Sequence, residues 1–148
     1  MKYETITFKK SALFNIVRSN INGYLDTVAN DASIAEITEE DAHVVNYLLE
    51  SAINNLLGAL THLRNTNEEV NSFREILILE LAYTSREQRQ RLPALIERYL
   101  VKHAESQYLQ GKGLSSKHID VDSAYRDLRH VALLSDVKKR KIHKPIYY

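Results

Sequence analysis

From Tyr3 to Phe8 polar and apolar side chains alternate through Glu4, Thr5, Ile6 and Thr7, which predicts a short strand. After Lys9, Lys10 and Ser11 the spacing changes. Leu13, Ile16, Val17, Ile21, Tyr24, Leu25 and Val28 recur with the period of a helix, so a first helix is expected from about Ser11 to about Ala29. Residues 30–33 read as a loop. A second helix is expected from Thr38 to about Arg64. Thr38 with Asp41 three residues on resembles a capping box, and Glu39, Glu40 and Asp41 favour the positive end of the helix dipole. Its wide apolar stripe, from Val44 to Leu63, suits a helix packed on two neighbours.

The stretch 73–84 is ambiguous, because Leu and Glu form helices well while the run from Ile76 to Leu79 looks like a buried strand. The strand reading is preferred, since Thr84 and Ser85 then restart a helix with Ser85 and Gln88 as its capping box. This third helix carries Leu92, Leu95, Ile96, Tyr99, Leu100 and Leu109. Pro93 should kink it or move its start to about Leu92. Residues 110–116 read as a flexible loop. A last helix begins near Asp122 or Ser123 and presents Ala124, Tyr125, Leu128, Val131 and Ala132. The expected fold is mainly α: a four-helix bundle-like domain over 1–137 with one or two short β-strands, followed by an extended basic and aromatic tail over 138–148.

Composition narrows the chemistry. The 148 residues include no cysteine, which excludes disulfides, thiolate metal sites and cysteine nucleophiles. No run of roughly 18 apolar residues exists to span a membrane, and the first residues have no apolar core of the kind a secretion signal needs. The six histidines, His43, His62, His103, His118, His130 and His143, never fall three or four apart. His118, Asp120 and Asp122 would share a face in extended chain and could hold a divalent ion, but carboxylates just before a helix are more simply its cap. Gly111, Lys112 and Gly113 lack the spacing of a phosphate loop. Glu39, Glu40 and Asp41 diverge on a helix instead of converging on a substrate. No enzyme, cofactor or metal site is expected.

The net charge of +1 conceals a polar layout. Residues 1–18 carry +3 and residues 138–148 carry +5, whereas residues 19–63 contain no Lys or Arg and carry −7 through Asp26, Asp31, Glu36, Glu39, Glu40, Asp41 and Glu50. Such poles suit head-to-tail association or docking on a charged partner. The tail concentrates both signals. Lys138, Lys139, Arg140, Lys141 and Lys144 exceed what a helix end needs, and could meet phosphate or an acidic protein surface. Pro145 biases Lys144 to extended backbone. Ile146, Tyr147 and Tyr148 are costly to leave in water and would fill a pocket, on their own domain or on a neighbour.

Element order, the long acidic-capped helix and this tail together resemble the small head–tail connector, or adaptor, proteins of tailed bacteriophages. That resemblance implies a virion structural protein of the neck, made in the host cytoplasm. It implies a homo-oligomeric ring, commonly of twelve copies, beneath the portal. It also implies a tail, here Lys138 to Tyr148, that inserts into the portal or an adjoining neck or tail ring. DNA would pass nearby without specific binding. A small nucleic-acid-binding regulator using the basic tail is the alternative.

Overall fold

The computed structural model describes residues 2–28, 36–65 and 75–134. Among these the fold is mainly α, with four helices and a two-stranded antiparallel sheet. β1 (Glu4–Lys9) runs straight into α1 (Lys10–Val28). It pairs with β2 (Ile76–Leu81) in a register that sets Ile6 opposite Leu79 and Phe8 opposite Leu77. Alternation then puts Leu77, Leu79 and Leu81 on the buried face, which is why the ambiguous 73–84 stretch resolves as a strand. The other edge of β2 is held by the chain after α2, where Ala82 N–H donates to the Leu63 carbonyl at 2.7 Å and Arg64 bridges to Leu81.

The expected single helix over 38–64 is three pieces. A 3-10 turn, Glu39–Asp41, precedes α2 (Ala42–Leu56), and a second, Leu57–Leu60, follows it. The Asp41 carboxylate accepts from Thr38 N–H at 2.8 Å, completing the carboxylate half of the capping box. At the far end Gly58 weakens the helix, and Thr61 Oγ1 takes the Leu57 and Gly58 carbonyls at 3.1 Å each, so the backbone tightens there. α2 still packs on two neighbours, α1 and α3. Lys10, 4% exposed, is paired with Glu50 and ties the start of α1 to α2.

α3 (Arg86–Gly111) is the axis, contacting α1, α2 and α4. Ser85 caps it, its hydroxyl accepting from Gln88 N–H at 3.1 Å. The helix runs unbroken past Pro93, so it does not start at Leu92. Part of the expected loop after it is a built cap. Gly113 takes φ +73°, Gly113 N–H donates to Gln110 at 3.0 Å and Leu114 N–H to Leu109 at 2.9 Å, the paired bonds of a Schellman ending. α4 (Val121–Ala132) is capped by Asp120, whose carboxylate accepts from Ser123 N–H at 2.9 Å, and buries Ala124, Leu128, Val131 and Ala132 against α3.

Candidate functional site

The tail residues singled out by the sequence, Lys138, Lys139, Arg140, Lys141, Lys144, Pro145, Ile146, Tyr147 and Tyr148, lie outside the described residues. The place they depart from is well built. A helix leaves its last carbonyls without partners, and at the end of α4 side chains supply them. Gln88 is fully buried, and its Nε2 donates to the Ala132 and Leu134 carbonyls at 2.9 and 2.6 Å. Thr84 Oγ1 donates to Leu134 at 2.9 Å, and His62 Nε2, 2.7 Å from the Ala132 carbonyl, must carry the ring proton to donate there. Gln88 Oε1 in turn accepts from Thr84 N–H at 2.7 Å. Leu134 is therefore fixed beside the first turn of α3. The sequence marks Gln88 only as a capping residue; nothing in it shows that its amide reaches across to α4.

The acidic pole lies at the other end of the same helix. The Asn22 amide clamps Ile37 twice, accepting its N–H at 2.8 Å and donating to its carbonyl at 3.0 Å. This holds exposed Glu36, Glu39 and Glu40 against α1, with Asp26 one turn beyond Asn22. Asp41 comes close enough to raise the Tyr108 hydroxyl's pKa, second to burial. Tyr108 is 20 residues along α3 from Gln88, so root and acidic pole stand about 30 Å apart at 1.5 Å per residue. Three arginines of α3 that could complement this pole are occupied within the chain: Arg89 pairs with Glu4, Arg91 with Glu87 and Arg98 with Asp127.

A groove separates α1 from α3. It holds two cavities, of about 260 and 170 Å³, that share Asn20, Lys102 and Glu105. Glu105 is only 7% exposed, and its Oε2 accepts from the Asn20 amide at 2.7 Å. Burial raises the Glu105 pKa above the ordinary carboxylate value, against the lowering effects of the Asn20 bond and of Lys102. The folded chain thus holds this proton to higher pH than the unfolded chain, so stability falls as pH rises from the ordinary carboxylate value through the raised one. In dilute solution above that window, Glu105→Gln is expected to stabilise the fold by about 1 kcal/mol, or roughly 2–4 °C in Tm. Near pH 4 the advantage should vanish. Paired thermal melts check both.

The remaining sequence candidates are absorbed structurally. Asp120 is a helix cap, and His118 stacks on Tyr24 with ring centroids 3.7 Å apart. Among the described residues no group of three acidic or histidine side chains is gathered as a metal ion would need, and no helix is long and apolar enough to cross a membrane. No protein-family model matches the chain, and neither a curated protein nor a solved structure matches it.

Proposed function

We propose that this chain is a structural assembly protein of the head–tail connector type, which forms a homo-oligomeric ring in a phage neck and docks on the portal or an adjoining ring through residues 138–148. The observation that carries this reading is the polar arrangement along α3. The root of a +5 tail is clamped at Leu134, and an exposed acidic turn stands about 30 Å away at the opposite end. Unlike surfaces at opposite ends favour heterologous contacts, which close into rings when the rotation allows. The four-bonded clamp supports the same reading, because a docking segment gains from a fixed point of departure.

The alternative reading, a regulator that grips phosphate with Lys138 to Lys144, makes a different demand. Five backbone contacts would give measurable duplex affinity that collapses as salt rises. The connector reading expects no sub-micromolar binding to duplex DNA at physiological salt, because the tail's cations are engaged on a protein surface and five exposed charges alone are strongly weakened by salt. Fluorescence anisotropy over a salt series separates the two. Sub-micromolar affinity with a steep salt slope would overturn the connector and favour the regulator.

A further inference from the structure

We propose that the groove between α1 and α3 is the seat for the tail of a second copy, with the Lys144 ammonium on the Glu105 carboxylate and Ile146 against Ile16 and Val101. This rests on the tail being a docking segment and names where it docks.

The groove is built for a cation with an apolar neighbour. Among the described residues Glu105 makes no ion pair; its carboxylate is bonded by the neutral Asn20 amide. The nearby Arg98 is turned to Asp127 at 2.9 Å, which leaves Glu97 and Glu105 against Lys102 alone. A desolvated carboxylate is costly unless paired and bonded, so an incoming ammonium recovers what burial takes. The bank is apolar. Ile16 sits on the helical stripe that should be core, yet it is 38% exposed and lines this groove beside Val101.

The tail has the matching order. In extended chain residues i and i+2 face the same way. Lys144 and Ile146 would therefore share a face of an extended segment, the conformation toward which Pro145 biases Lys144. The seat is poorly placed for the tail of its own chain. Glu105 is 17 residues beyond Gln88, about 26 Å along α3 and about 100° around it. Lys144 is ten residues beyond Leu134, a reach of about 33–36 Å when fully extended. A tail docking at home would be drawn nearly taut, whereas in a ring the neighbour's groove can come to it.

The absence of cysteine makes the test clean. Full-length Ile16→Cys and Ile146→Cys are prepared separately, mixed and oxidised, with Asn54→Cys on the exposed side of α2 replacing Ile16→Cys as control. A disulfide-linked heterodimer in the first mixture and not in the second is the expected result. In parallel, Glu105→Gln is expected to weaken assembly roughly tenfold or more, as loss of a desolvated charge pair does, while its Tm rises; a purely structural role would not move the two in opposite directions. If a chain carrying both Ile16→Cys and Ile146→Cys, oxidised alone, links only within itself, the seat is filled at home and the proposal fails. If native mass shows assembly but no cross-link forms, or if Glu105→Gln assembles undiminished, the groove is not the seat and the docking tail stands. If the chain is monomeric at every concentration, both fall.

Discussion

Gln88→Leu is expected to destabilise the fold by about 3 kcal/mol, or roughly 6–12 °C in Tm, although it replaces a polar side chain with an apolar one of similar size in a fully buried place. The amide spans three segments. Its oxygen satisfies Thr84 N–H and its nitrogen satisfies the carbonyls of Ala132 and Leu134. Leucine offers no partner, so Thr84 N–H loses its acceptor while each carbonyl keeps one donor, from His62 or from Thr84 Oγ1. That surviving redundancy keeps the cost from running higher. Removing one member of an exposed pair, as in Arg91→Ala beside Glu87, should change stability by less than about 0.5 kcal/mol. Urea denaturation of both variants measures the contrast. A loss below about 1 kcal/mol for Gln88→Leu would mean that the end of α4 is not held by this amide.

The elements that read most clearly from sequence are those where one periodicity acts alone. β1 and α1 follow directly from alternation and helical spacing, β2 is separated from a helix only by the restart at Thr84 and Ser85, and the Ser85 and Asp120 caps follow from short polar residues placed before helices. The break after Leu56 was masked by a continuous apolar stripe. It depends on Gly58 and on Thr61 taking backbone carbonyls, effects that periodicity does not register. α3 misleads in the opposite direction. Gln88, His103, Glu105 and Ser106 are polar and suit an outer face, yet all are buried. Three helices crowd α3, and the number of neighbours is not written in one helix's own pattern. Ile16 is the complementary case, an apolar residue on the core stripe that ends at a groove rim. Glu105 thus had no signal in the sequence; only the convergence of α1 on α3 makes it a buried acid in a cleft.

Deleting residues 138–148 is expected to weaken self-association by about 100-fold or more, equivalent to roughly 2.7 kcal/mol, while leaving the helices intact. The two halves of this expectation have separate causes. The described core is complete without the tail, since α4 is already packed and its last carbonyls are satisfied by Gln88, Thr84 and His62. Association, by contrast, loses five cations and three apolar or aromatic side chains at once. Circular dichroism should therefore report the same amount of helix per molecule in the shortened chain as in the full chain. A cooperative loss of helix on truncation would place the tail in its own core.

Native mass spectrometry of the full chain beside the chain shortened at residue 137, at matched concentrations, tests the docking tail most directly. The full chain should fly as a closed oligomer, a multiple of 17.1 kDa, and the shortened chain as a folded monomer. Equal assembly of both, or a full chain that stays single at every concentration, would contradict it.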